Sequence, residues 1–184
     1  MRVLAISGSL RRDSFNTQLL RAAEELAPRG VDIELYDGLK QVPPYDQDDD
    51  GELVDAAAQD LRDRIRQADA VLFATPEYNS SIPGQLKNAL DWASRPFRTN
   101  ALRNKPVAVV GATTGAYGAV WAQAELRKVL GAIGARVLPA EVAVAHAHEK
   151  FDEDGTLLDD EIRAGLGEVL RELIRAAQPV VIAA

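Results

Sequence analysis

The amino-acid sequence predicts an α/β fold: one five-stranded parallel sheet between two layers of helices. Three observations carry this reading. Short apolar runs alternate with longer amphipathic ones along the chain, the order that strand–helix–strand crossovers produce. The short runs are apolar at nearly every position, as strands covered on both faces must be. The 184 residues contain no internal repeat and no low-complexity linker, so residues 1–184 read as one domain.

The strands expected from these runs are Arg2–Ser7, Val31–Tyr36, Ala70–Thr75, Pro106–Gly111 and Arg136–Pro139. Each is rich in Val, Ile, Leu or Ala. The first helix aligns Phe15, Leu19, Ala23 and Leu26 and stops near Gly30, where glycine suits a left-handed cap. A second aligns Leu53, Ala57, Leu61 and Ile65. A third begins at Pro83, whose fixed φ fits a first helical turn, and aligns Leu86, Ala89, Leu90 and Ala93. The fourth runs from about Tyr117 to Ile133 and is ended by Gly134. The last presents Ile162, Leu166, Val169, Leu170, Leu173 and Ile174 on one stripe.

Composition narrows the chemistry. There is no cysteine, which excludes disulfides, thiolate nucleophiles and Cys-ligated metal centres. A net charge of −7 disfavours nucleic acid and anionic membrane surfaces as partners. No apolar run is long enough to span a bilayer, and Met1-Arg2 leads straight into a buried strand, so the expectation is a cytoplasmic protein. Metal binding is not expected. Asp46–Glu52 lacks EF-hand spacing, and His146 and His148, which alternate as on a strand, have no clear third ligand. Trp92 and Trp121, both on helices, are expected to serve packing or an interface.

An open parallel sheet binds its ligand outside the carboxyl ends of its strands, where the winding reverses. Function is therefore expected in Gly8–Asn16, Pro76–Pro83 and Ala112–Gly118. The first segment sets hydroxyls, an amide and two guanidinium groups beside a helix N-terminus, a combination that suits a phosphate monoester. It has neither P-loop nor GxGxxG spacing, which removes support for an NTPase or an ordinary dinucleotide domain. Ser14 alone could equally be a plain helix cap. The second segment, Pro76-Glu77-Tyr78-Asn79-Ser80-Ser81-Ile82-Pro83, forms a rigid turn able to offer backbone groups to a planar heterocycle. In the third, Gly111, Gly115 and Gly118 permit close backbone approach beside Thr113 and Thr114.

Gly8-Ser9-Leu10-Arg11-Arg12-x-Ser14-Phe15-Asn16 and Pro76-Glu77-Tyr78-Asn79-x-Ser81-Ile82-Pro83-Gly84-x-Leu86-Lys87-Asn88-Ala89-x-Asp91-Trp92 are joined by Thr113-Thr114-Gly115-x-x-Gly118. Together these motifs resemble the NADPH-dependent FMN reductase family, especially its quinone and chromate reductase branch. The resemblance implies a flavodoxin-like fold with strand order 2-1-3-4-5, bound FMN, NADPH or NADH as co-substrate, and a homodimer or homotetramer. By position, Ser9, Arg11, Ser14 and Asn16, with Phe15, would hold the FMN phosphate. Pro76, Glu77, Tyr78 and Asn79 would line the isoalloxazine edge, and Thr113, Thr114 and Gly115 would close the opposite side. Relatives often carry a Ser-rich or Ser-Pro loop where this chain has Thr113-Thr114, whose methyl groups allow a small shift of ring or substrate.

The function so implied is two-electron transfer from NAD(P)H through FMN to a small-molecule acceptor: a quinone, chromate, an azo or nitro compound, or free flavin. The cofactor carries the hydride chemistry, so no catalytic side chain is expected. One open ring face shared by both substrates predicts ping-pong kinetics. The alternative is a flavodoxin-like FMN-binding electron carrier serving a protein partner.

Overall fold

A computed structural model describes residues 1–51 and 54–178. The strands are β1 (Arg2–Ser7), β2 (Asp32–Tyr36), β3 (Ala70–Ala74), β4 (Pro106–Ala112), β5 (Arg136–Val137) and β6 (Ala143–Val144). The helices are α1 (Phe15–Glu25), α2 (Ala56–Gln67), α3 (Gly84–Ala93), α4 (Val120–Ile133) and α5 (Asp160–Ala177). All strand pairs in the sheet are parallel, and the order is β2-β1-β3-β4-β5, as expected. The order reverses between β1 and β3, and the ligand crevice of such a sheet lies at that switch.

Alternation along the central strands builds two cores. Leu4, Ile6, Val71, Phe73, Val107 and Val109 face α2, α3 and α4. Their neighbours Val3, Ala5, Leu72, Ala108 and Val110 face α1 and α5. Trp92 is fully buried and donates its indole N–H to the Pro43 carbonyl at 2.9 Å. Beside it the buried Arg62 donates to the Trp92 carbonyl at 2.9 Å and pairs with Asp50 at 2.7 Å, so its charge is matched. Asp50 belongs to the acidic loop Asp46–Glu52, and Asp46 in that loop caps a short 3-10 turn over Gln47–Asp49.

The structure departs from the expected elements in three places. The fifth strand is split: β5 stops at Val137, and β6 resumes beside the far end of β4, giving a sixth strand. Pro139 lies in the gap and has no N–H for a ladder. α4 begins at Val120 rather than Tyr117, because Gly118 and Ala119 both adopt left-handed backbone. The second helix begins at Ala56, and Leu53, expected on its stripe, lies outside the described residues, as does Glu52.

Candidate functional site

Strand β1 ends at the sheet's switch point, and the chain must turn sharply there to start α1. The Gly8 N–H donates to the Ala74 carbonyl at 2.8 Å, and a Cβ on Gly8 would stand 2.8 Å from Leu86 Cδ2, so any side chain there would have to displace the buried Leu86. Ser14 is the N-cap of α1, its hydroxyl oxygen accepting the Thr17 N–H at a long 3.4 Å. That contact uses a lone pair and leaves the O–H free to donate. The backbone N–H groups of Arg12, Asp13, Ser14, Phe15 and Asn16 have no protein acceptor among the described residues. Arg11 is exposed, forms no ion pair among the described residues, and lays its guanidinium over the Phe15 ring at 5.4 Å.

The loop after β3 is held by its own bonds. Thr75 is buried and donates its hydroxyl to the Pro76 carbonyl at 2.8 Å. Tyr78 and Ser81 exchange both backbone hydrogen bonds, at 3.0 and 3.1 Å, across a two-residue turn. Asn79 and Ser80 take φ of 53° and 61° there, the pattern of a type I′ hairpin, for which Asn is a preferred residue. Glu77 reaches across to α4, where one carboxylate oxygen accepts the N–H groups of Trp121 and Ala122, each at 3.1 Å. α4 has no side-chain cap of its own, so Glu77 supplies that cap and meets the helix dipole.

The third loop is held from outside. Thr113 N–H donates to the Val144 carbonyl, Ala147 N–H to the Thr113 carbonyl and His146 N–H to the Gly115 carbonyl, all at 3.0 Å. His146 is therefore a backbone brace in left-handed conformation ahead of a 3-10 turn, and neither it nor His148 lies on a strand. Gly118, at φ 58°, passes so close to Ala143 that a Cβ would meet its carbonyl carbon at 2.5 Å. Buried Gln123 completes the turn by donating to the Gly118 carbonyl at 2.9 Å.

These loops enclose one crevice of about 440 Å³. Ten of the expected residues line it: Ser9, Arg11, Ser14, Phe15 and Asn16 from the first loop; Pro76, Glu77 and Tyr78 from the second; Thr113 and Thr114 from the third. Ala112 also lines it. Asn79 and Gly115 do not; Asn79 forms the hairpin tip, and Gly115 accepts from His146. Asn16 lines the wall, but its side-chain amide is fully engaged. It donates to the Ala112 carbonyl and accepts the Ala112 N–H, both at 2.9 Å, across 96 residues of sequence. At 2% exposure it is a strut between the first and third loops, with only its backbone N–H left for a ligand.

The donor set fits FMN. On one side, unspent N–H groups, two serine hydroxyls and Arg11 suit a phosphate dianion. On the other, the N–H groups of Glu77 and Thr114 have no protein acceptor among the described residues, a pattern that suits the carbonyl and nitrogen edge of a flavin ring. Sequence reasoning missed the Asn16 strut, the Glu77 cap and β6. For β6 a signal existed in the apolar run Val142–Ala145, but it was too short to separate from a loop. Trp121, 49% exposed, and Tyr117, 65% exposed, form an edge-to-face pair 5.0 Å apart on the surface beside the crevice.

The chain is 42% identical over 179 residues to an NAD(P)H-dependent FMN reductase of Pseudomonas aeruginosa, covering 97% of this chain and 94% of that protein. It is 38% identical over 164 residues to a 2-hydroxy-1,4-benzoquinone reductase of a Burkholderia species, covering 89% and 88%. Among solved structures, a flavoenzyme NAD(P)H:(acceptor) oxidoreductase of Paracoccus denitrificans superposes with a TM-score of 0.86 at 34% identity, over 96% of each chain. Residues 1–149 match a family profile directly, and with these likenesses the chain belongs to the NADPH-dependent FMN reductase family.

Proposed function

We propose that the chain is an FMN-dependent NAD(P)H oxidoreductase that delivers two electrons to quinones or related small acceptors. The observation that carries this reading is the convergence of three loops on one crevice whose two ends differ in chemistry. One end has donors for a phosphate, and the other has a rigid backbone edge for a planar ring. When bound, FMN supplies the electron transfer: NAD(P)H and a proton reduce a quinone to the hydroquinone, leaving NAD(P)⁺.

The chain's own residues bind and shape. Arg11 and the start of α1 hold the phosphate, with Ser9 and Ser14 donating hydroxyls. The Pro76–Tyr78 turn sets one wall of the ring's seat, and its position is fixed by the Glu77 contact to α4. Thr113 and Thr114, braced by β6, set the other wall. Backbone N–H groups along the ring edge stabilise negative charge that develops on reduction. No side chain near the crevice is assigned an acid–base role.

One open face serves both substrates in turn, which makes the kinetics ping-pong and the acceptor range broad, extending to chromate, azo and nitro compounds and free flavin. A homodimer or homotetramer and a cytoplasmic setting belong to the same proposal; mass in solution tests the first. Among the described residues no helix is long and apolar enough to cross a membrane.

The test is steady-state oxidation of NADPH by FMN-loaded protein with benzoquinone as acceptor. Turnover with parallel double-reciprocal lines is expected. Protein that takes up no FMN contradicts the reading. FMN-loaded protein that fails to turn over supports an electron carrier instead.

A further inference from the structure

We infer that the exposed pair Tyr117 and Trp121 forms a stacking shelf at the ring end of the crevice, and that it makes the enzyme favour acceptors with an extended aromatic face, such as bicyclic quinones, over compact ones. The inference deepens the oxidoreductase reading above and rests on it. Among the described residues, six large apolar side chains stand exposed. Four of them, Leu10, Tyr78, Tyr117 and Trp121, lie on the three crevice loops or on the first turn of α4, which the third loop enters. Single exposed apolar residues are ordinary, whereas a cluster at the mouth of a ligand crevice marks a contact surface. The three aromatic members belong to the ring end.

The backbone is bent to present this pair. Gly118 and Ala119 take φ of 58° and 61°, and for Ala119, which carries a Cβ, the left-handed conformation is costly. Such outliers persist where the surroundings over-determine them, and they gather at ligand sites. Here the Val120 N–H donates to the Tyr117 carbonyl at 3.3 Å, closing the turn that leaves Tyr117 outside α4 and against Trp121. The two rings pack edge to face, 5.0 Å apart with their planes at 63°. Each ring steadies the other, and both keep open surface.

Glu77 ties the shelf to the crevice. Its carboxylate accepts the Trp121 N–H at 3.1 Å, and Glu77 and the adjacent Tyr78 both line the crevice. The shelf and the turn that walls the ring seat are thus one hydrogen-bonded unit. Packing of an acceptor ring against Tyr117 or Trp121 is worth roughly twofold to tenfold in affinity beyond the area it buries. A second fused ring supplies the face for that contact, whereas benzoquinone has only the ring that must meet the cofactor. Chromate, an oxyanion with no π face, gains nothing from the shelf.

The test compares FMN-loaded wild type with Trp121→Ala and Trp121→Phe. The Glu77 bond uses the Trp121 backbone, so these changes leave it in place. With oxidised FMN and no NADPH, quinones bind without reacting, and calorimetry reads affinity alone. The wild-type protein is expected to bind 1,4-naphthoquinone with quenching of tryptophan emission, which reports on Trp121 because Trp92, the other tryptophan, is fully buried. In Trp121→Ala the ratio of naphthoquinone to benzoquinone affinity should fall about fivefold, and Trp121→Phe should recover most of it. In turnover the same loss should appear in KM for naphthoquinone, with kcat and FMN content unchanged. A ratio unchanged in Trp121→Ala overturns the inference. A change in that variant's mass in solution overturns it too, since the pair would then be a subunit contact. Wild-type protein that binds both quinones but reduces neither defeats the oxidoreductase reading instead, while the affinity ratio still decides the shelf.

Discussion

The two ends of the crevice are built on opposite plans. At the phosphate end, Ser9 to Ser14 make few bonds to the rest of the protein: Ser14 caps weakly, Arg11 lies over Phe15, and a run of N–H groups is unspent. At the ring end the loops are tied to other segments by several bonds, though the Glu77 and Thr114 N–H groups stay unspent. Glu77 caps α4, Tyr78 and Ser81 close a hairpin, and β6 with His146 and Ala147 holds the Thr113–Gly115 segment. The difference teaches where each kind of recognition is placed. A compact dianion can be held by flexible donors that order around it, whereas a flat ring needs walls whose spacing is set before it arrives. Substitutions should accordingly harm ligand affinity at the first end and folding at the second.

Asn16 joins the two plans and gives the largest expected effect. Asn16→Ala leaves the Ala112 N–H and carbonyl without partners in a buried position, for a loss of about 2–4 kcal/mol in denaturant unfolding. Loss of FMN affinity without loss of stability would show that the strut reading is wrong. Arg11→Ala breaks the other side of the comparison. FMN affinity should fall roughly tenfold to a hundredfold with the melting temperature of the flavin-free protein unchanged, because an exposed guanidinium adds little to folding. A variant that melts early but keeps its FMN affinity would reverse the assignment.

Glu77→Ala comes next, and should cost about 1–2 kcal/mol through the exposed N-terminus of α4. Glu77→Gln keeps an acceptor oxygen and should recover part of it. Outside the three loops, Asp159 supplies a control of smaller size. It caps α5 and accepts from Lys150 at 2.7 Å, and these donors hold its carboxyl below the usual value. A depressed pKa in the folded state means that its contribution is present above about pH 4 and is lost as pH falls further. Thermal melts of wild type and Asp159→Asn should therefore differ at neutral pH, converge in acid, and show equal FMN affinity throughout.

Much of this was legible in the sequence because it rests on local periodicity. Buried strands such as Ala70–Ala74 and helix stripes such as Ile162–Ile174 follow from apolar spacing alone, and the sheet order followed from resemblance. The ten crevice residues were legible for a related reason: all lie in the segments that follow the carboxyl ends of β1, β3 and β4. What escaped was bonding between distant segments. The Asn16–Ala112 pairing spans 96 residues, and the Glu77 contact to α4 spans 44, and no spacing rule connects such positions. Thus the sequence could place Asn16 and Asn79 in these loops but not show that the Asn16 amide bridges to Ala112 or that Asn79 occupies the hairpin turn. The split fifth strand escaped because two-residue strands have too little pattern to detect.

The central claim is that this crevice holds FMN in position to take electrons from NAD(P)H and release them to a quinone. Anaerobic rapid mixing of FMN-loaded protein with NADPH, followed by benzoquinone, tests it directly. The visible band of oxidised flavin should bleach on the first addition and return on the second, in proportion to the quinone added. A band that stays unchanged when NADPH is added would contradict the claim.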